Sequence, residues 1–211
     1  MKRRNFIQLS TLAGVGISIP FSGLFTACSN HPEHSLEFKS LILGLLKDWC
    51  DGMLKVQINN PSNLEEHGAL GCPSCSHIHG RCMDAAYPFL YMADKTGDKT
   101  YLEGAKLVML WAENNVSQED GAWTVIKNPK SWKGITIFGA IALAEALHYH
   151  GHVLDEETNK AWTLRLEKAG QYIYDTFTID FTNINYPGTA VYGLNLIGNV
   201  LNRDDFKAKS K

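Results

Sequence analysis

Three short segments of this 211-residue chain concentrate side chains that can do chemistry: residues 72–82, 128–134 and 183–188. Their imidazoles and phenol can move protons, their amides and basic groups can bind a carboxylate, and their tryptophan can stack on a sugar ring. The segments recur at roughly 50 residues, a spacing typical of stacked helical hairpins. This repeat predicts that one fold brings all three segments to the same place.

The third segment holds the most reactive combination, which is Asn183, Asn185 and Tyr186. An amide can donate a hydrogen bond to a carboxylate, and a phenol can act as an acid or a base when its pKa is lowered. Asn185 could instead cap a helix that has Pro187 in its first turn, although capping does not account for Asn183 and Tyr186. We predict Asn185 and Tyr186 as catalytic residues and Asn183 as a substrate-binding residue.

The second segment places Trp132 and Lys133 directly before an apolar stretch. A tryptophan at the mouth of a helix can stack on the apolar face of a sugar, and the neighbouring ammonium can bind an anion. The alternative is that Trp132 anchors the core. Because Lys133 lies beside it, we predict that both residues bind substrate.

The first segment has the pattern C-x2-C-x-H-x-H-x2-C, formed by Cys72, Cys75, His77, His79 and Cys82. The spacing is compatible with a disulfide, with structural zinc held by the three cysteines, or with free thiols. In each case the two histidines could bind substrate together with Arg81, or they could only fix the loop. We predict His77, His79 and Arg81 as substrate-binding residues and expect no catalytic metal or cofactor.

The elements that must position these residues are helices. Hydrophobic periodicity predicts six of them and almost no strand, at about Leu36–Ile58, Arg81–Lys95, Lys99–Asn115, Ser131–His150, Glu156–Phe177 and Tyr186–Asn202.

The helices are of two kinds, apolar on all sides or amphipathic, and the two kinds alternate along the chain. This alternation predicts an all-α fold, an incomplete α/α toroid of helical hairpins with inner helices starting near 81, 131 and 186. An ordinary helical bundle is the alternative. Alternate helices of such a ring run parallel, so their N-termini, which favour anions, would share one rim with the three segments. His148, His150 and His152 would lie at a solvated helix end.

The N-terminal segment has the pattern of an export signal. Residues 1–27 combine Arg3-Arg4 with a moderately apolar stretch, as in a twin-arginine export signal, and Cys28 ends a loose lipobox. A permanent membrane span is the alternative. We expect export to the periplasm or outer membrane with a lipid on Cys28, a linker over 28–35, a partial toroid over 36–202 and a polar tail over 203–211.

The composition and net charge limit the classes of molecule that the chain can bind. The formal net charge is −2 and 45% of the residues are hydrophobic, which suits one globular domain and disfavours nucleic acid as a partner. Contact with a membrane is expected only through the lipid anchor. Six helices form only half of a ring, so we expect the chain to be a fragment of a longer protein.

Residues Gly71–Met92, Lys130–Leu147 and Asn183–Gly198 together resemble the α/α-toroid part of heparinase II/III-like polysaccharide lyases. The resemblance implies β-elimination on an acidic, uronic-acid-containing polysaccharide, with Asn185 neutralising the uronate carboxylate. Tyr186 stands where a histidine is common in that family. Members normally continue into a second half-toroid and a β-sandwich.

Two other functions fit the same residues. A toroid glycoside hydrolase acting on uronyl oligosaccharides would need paired inward carboxylates, of which only Asp84 is well placed. A surface lipoprotein that binds an acidic glycan without cleaving it would need no catalytic residues.

Overall fold

The computed structural model describes residues 32–211, with side chains from residue 36 onward. The predicted signal peptide, Cys28 and the start of the predicted linker lie outside the described residues. The described chain contains seven α-helices and two 3₁₀ helices, at Gly80–Ala85 and Gly151–Val153. The α-helices are α1 (Pro32–Val56), α2 (Ala86–Thr96), α3 (Lys99–Asn115), α4 (Thr136–His150), α5 (Glu156–Thr176), α6 (Asn185–Leu201) and α7 (Asp204–Lys209).

The predicted all-α class is confirmed. Residues 32–211 contain no strand and only two isolated β-bridges, Gln57 with Leu70 and Ser117 with Trp123. The chain divides into two units at a boundary within the sequence of α1, and the larger unit is Leu43–Lys211. Within the same described range, no helix is long and apolar enough to span a membrane.

Local sequence signals explain where the helices begin and end. Asp98 caps α3 by accepting a hydrogen bond from the Thr100 backbone at 2.9 Å, and Asp155 caps α5 in the same way through Thr158 at 2.8 Å. Gly97 ends α2 with a φ of 71°, a left-handed conformation that glycine adopts without strain.

Helices α2, α4 and α6 pack side by side within the larger unit, while α3 packs on α2 and α5 packs on α4 and α6. This is the predicted order of inner and outer helices. The inner helices approach closely because glycines lie between them. A Cβ at Gly193 of α6 would lie only 2.6 Å from Ile137 Cδ1 of α4. The close approach holds the N-terminal ends of these helices in fixed relation.

One expectation about the inner helices is wrong. An inner helix that is apolar on all sides should be buried all round, yet Val191 and Tyr192 of α6 are each 52% exposed. Helix α6 packs on α4, α5 and α7, and these contacts leave Val191 and Tyr192 at the surface.

The boundaries of the domain also differ from expectation. The predicted linker already becomes helical at Pro32. The predicted polar tail contains α7, which packs on α5 and α6. Phe206 is fully buried there, with its ring centre 5.7 Å from that of Tyr174. A single aromatic residue among charged neighbours is too weak a periodic signal to predict this helix.

Phe206→Ala should lower the free energy of unfolding by about 3–5 kcal/mol, because it removes a fully buried ring and leaves a cavity. Phe206→Leu keeps most of the volume and should cost about 1 kcal/mol. Urea unfolding of both variants measures the difference. Unfolding of Phe206→Ala at the wild-type urea concentration would mean that α7 is not part of the folded core.

Candidate functional site

Backbone hydrogen bonds join the first and second chemical segments. Gly80 N–H donates to the Val125 carbonyl at 2.6 Å, and Val125 N–H donates to the Trp132 carbonyl at 3.1 Å. A Cβ at position 80 would lie 2.0 Å from the Thr124 carbonyl oxygen, so only glycine allows this contact. Residues 80 and 132 are therefore tied together through Val125 although they are far apart in sequence.

A cluster of aromatic rings connects these two segments to the third. The ring centre of Trp132 lies 5.7 Å from that of Phe181 in a stacked arrangement and 5.5 Å from that of Tyr186 in an edge contact. Phe138 lies 5.8 Å from Tyr186 and carries the Arg81 guanidinium 4.7 Å from its ring centre. We call these five residues the rim cluster. The structure thus brings Arg81, Trp132 and Tyr186 of the three segments into one cluster.

The rim cluster borders a cavity of about 410 Å³ on the face formed by α2 and α4. Its lining combines apolar and titratable side chains, which are Arg81, Asp84, Tyr87, Phe138, Ile141, Ala142 and Glu145. An apolar concave surface with a few polar groups is the usual form of a small-molecule or sugar site.

Arg81 and Asp84 form an ion pair at the mouth of this cavity. Arg81 Nε and Asp84 Oδ2 are 2.7 Å apart, whereas Asp84 Oδ1 is buried without a hydrogen-bond partner among the described residues. Burial raises the pKa of Asp84, and the opposing effect of the Arg81 charge is smaller. The site therefore contains one carboxyl group that holds its proton more tightly than usual.

Asn183 and Asn185 lie beside the rim cluster with free side chains. Both are exposed, and their side chains make no hydrogen bond to any other described residue. The N-cap of α6 is Ile184, with no side-chain cap, and Asn185 is the first residue of the helix. The alternative that Asn185 caps α6 is therefore wrong, and its amide is free to bind a ligand.

The structure places the predicted substrate-binding residues His77, His79 and Lys133 in three different environments. The imidazole of His79 accepts a hydrogen bond from the Arg81 backbone at 3.0 Å and caps the first 3₁₀ helix, so it fixes the loop. His77 is exposed on the same loop. The Lys133 ammonium lies 2.6 Å from Asp120 Oδ2, and no contact with the rim cluster is described for it. The structure therefore does not bring Lys133 to the cavity.

The cysteines of the first segment are free thiols, as is Cys50. The Cys72 thiol interacts with that of Cys75, which lowers the pKa of Cys72, whereas burial raises the pKa of Cys82 to about 12. Among the described residues, no group of three or more His, Cys, Asp or Glu side chains could hold a metal ion. No disulfide joins any of these four described cysteines.

Sequence reasoning missed the tyrosines and the glutamate of the inner helices. Tyr87 and Glu145 line the cavity, and Tyr192 of α6 donates a hydrogen bond to Glu145 that raises the pKa of the phenol to about 12. The sequence did contain a signal for these residues, because they recur at helical spacing on otherwise apolar helices. A polar residue on such a helix must face a cavity or a partner.

Comparison with known proteins identifies the class. Residues 46–211 match the model of the ulvan lyase N-terminal domain. The chain therefore belongs to this family, which confirms the resemblance at the level of a polysaccharide lyase family.

A particular relative is a broad-specificity ulvan lyase from Formosa agariphila, which is 77% identical over all 211 residues. The chain spans about a third of that protein, 33% of its length. No solved structure matches the chain.

Asp84→Asn should change how stability depends on pH. A carboxyl group whose pKa is raised by folding contributes most to stability below its unfolded pKa of about 4, and the contribution is lost as the pH rises through the folded pKa. Wild type should therefore lose stability relative to Asp84→Asn from about pH 4 upward. Urea unfolding at matched pH values measures this.

Asp180→Asn, at an exposed carboxyl, is the control for the pH experiment and should show no such divergence from wild type. A difference between Asp84→Asn and wild type that stays constant across the pH range would contradict the raised pKa.

Proposed function

We propose that this chain is the N-terminal part of a polysaccharide lyase that cleaves ulvan or a similar uronic-acid-containing polysaccharide by β-elimination. The observation that carries the proposal is the rim cluster with the free amide of Asn185 beside it. Family membership and the name of the Formosa agariphila relative support the reaction and the acidic substrate.

The chemistry assigns a role to each group. Asn185 donates a hydrogen bond to the uronate carboxylate, whose charge grows as a base removes the proton from C5. The electron pair forms the double bond between C4 and C5, the C4–O bond breaks, and an acid protonates the leaving oxygen. A donor that binds more strongly as charge develops lowers the barrier directly. Tyr186 lies next to Asn185 and serves as the base or as a contact to the sugar.

The remaining members of the rim cluster bind the sugar. Trp132 is 45% exposed, so one part of its indole is available for stacking on a sugar ring while Phe181 supports it. Arg81 presents an exposed guanidinium above Phe138 and can meet an acidic group of the substrate. We further propose the heparinase II/III-like toroid as the architecture of the complete enzyme.

The main alternative is a glycan-binding protein without activity, and a glycoside hydrolase is the second. The ultraviolet absorbance of an unsaturated uronyl product distinguishes them, because elimination creates a conjugated double bond whereas hydrolysis and binding create none. A protein that contains this domain and degrades ulvan without that absorbance would contradict the proposed lyase reaction.

Asn185→Ala should lower kcat about a hundredfold while leaving KM nearly unchanged, because the lost donor acts mainly in the transition state. Asn185→Asp should abolish elimination by placing a second carboxylate against the uronate. Neither change should reduce stability, since the side chain is exposed and an acidic group is favoured at a helix N-terminus. Steady-state kinetics and urea unfolding measure the two effects.

Asn114→Asp, on the exposed surface of the outer helix α3, is the matched control and should keep full activity. A stable and fully active Asn185→Asp protein would refute the role of Asn185.

We also propose export through the twin-arginine pathway and a lipid on Cys28, on the sequence of residues 1–28. Changing Arg3 and Arg4 together to lysine should leave the protein in the cytoplasm, because the pathway reads the guanidinium pair. Cys28→Ser should move exported protein from the membrane to the soluble fraction. Immunoblots of cell fractions check both, and normal delivery of the lysine variant would indicate another export route.

A further inference from the structure

A second cavity of about 310 Å³ lies at the opposite end of α2 from the rim cluster. It is lined by Tyr87, Tyr91, Asp94, Lys95, Tyr149 and His150. Tyr87 also lines the first cavity, so the two cavities share a wall along α2. Arg81 lies in the 3₁₀ helix before α2, and Asp94 lies near the end of α2. From the rise per residue of the two helix types, they are ~20 Å apart along the chain, which is the length of a short oligosaccharide.

One carboxylate organises the polar groups of this second cavity. The two oxygens of Asp94 lie 3.0 Å from Lys95 Nζ, 3.0 Å from His150 Nδ1 and 3.0 Å from His152 Nε2. The interaction with Lys95, followed by those with the two histidines, lowers the pKa of Asp94 to about 2. A single negative charge thus holds three groups that can carry a positive charge, which leaves an excess of donors for a second anion.

These groups have unused hydrogen-bonding capacity. His150 is only 5% exposed, yet it lines the cavity and makes its described hydrogen bond through Nδ1, so Nε2 has no partner among the described residues. The burial contradicts the expectation of a solvated helix end for His150. Its ring is held in place by Tyr91, 5.3 Å away in an edge contact, and by Tyr87 at 5.9 Å. The ammonium of Lys95 lies 5.7 Å above Tyr91.

Aromatic faces beside cationic donors form the kind of surface that binds an acidic sugar, because the rings cover the C–H face and the donors meet the anion. We propose that Asp94, Lys95, His150 and His152, with Tyr87 and Tyr91, form a second subsite for an anionic sugar unit of the same polysaccharide. This inference rests on the proposed function. A chain bound at the rim cluster would reach the subsite along α2.

The test is the length dependence of binding, measured by calorimetry with a disaccharide and an octasaccharide prepared from ulvan. Wild type should bind the octasaccharide more tightly than the disaccharide. Lys95→Gln combined with His152→Gln should weaken octasaccharide binding about tenfold, the effect of losing one charge-assisted hydrogen bond, and leave disaccharide binding unchanged. Both side chains are well exposed, so the fold should tolerate the change.

Two further variants separate the possible failures. Arg81→Gln should weaken binding of both oligosaccharides, and Lys160→Gln, on the exposed surface of α5, should change neither. If Arg81→Gln weakens both while the double variant binds like wild type, the subsite is refuted and the proposed function stands. If the double variant weakens both oligosaccharides equally, the subsite is not separate and the inference is refuted. If wild type binds neither oligosaccharide, the proposed function fails and this inference with it.

Discussion

The backbone junction at Val125 is the constraint on which the candidate site depends. Its N–H and carbonyl connect Trp132 with Gly80, and the absence of a side chain at position 80 lets the two segments touch. Buried Thr136 secures the same region from the other side, because its hydroxyl accepts a hydrogen bond from the Trp123 N–H at 2.9 Å. The loop before α4 is therefore fixed by buried hydrogen bonds rather than by side-chain packing alone. Trp132 can then remain partly exposed and still have one orientation.

The close packing of the inner helices extends the contact at Val125 into a surface formed by several helices. Gly139 and Gly193 let α4 lie close to Met83 on one side and allow α6 to approach Ile137 on the other. Once α2, α4 and α6 are adjacent, residues on successive turns of α2 and α4 form one surface that runs from Arg81 towards Asp94. The helical spacing of Asp84, Tyr87 and Tyr91 makes this surface polar on a helix whose other sides are buried. The two cavities therefore follow one another along α2 and share Tyr87.

The sequence predicted the helices well because their periodicity and caps are local properties. Five of the predicted helices correspond closely to α1, α3, α4, α5 and α6. The convergence of Arg81, Trp132 and Tyr186 was predicted from the repeat together with the expected parallel direction of alternate helices. The failures concern partners that lie far away in sequence. Lys133 pairs with Asp120, and His150 packs against Tyr87 and Tyr91 from another helix. No pattern within a single helix contains that information. Two failures are local. An asparagine at the first position of α6 has the same sequence pattern as an N-cap, and α7 has too few apolar residues to give a periodic signal.

The charges around the two cavities explain why a neutral amide is the group best suited to act in the proposed reaction. Arg81 is compensated by Asp84, and Lys95 shares Asp94 with two histidines. In the proposed function, a substrate carboxylate that approaches either cation meets a carboxylate already in place, so these groups contribute selectivity and position as well as attraction. Asn185 has no such competitor among the described residues. In the proposed reaction its dipole is fully available when charge develops on the uronate, and binding requires no desolvation of an ion at this position. In the proposed reaction, compensated cations therefore hold the polymer while one uncompensated amide stabilises the transition state.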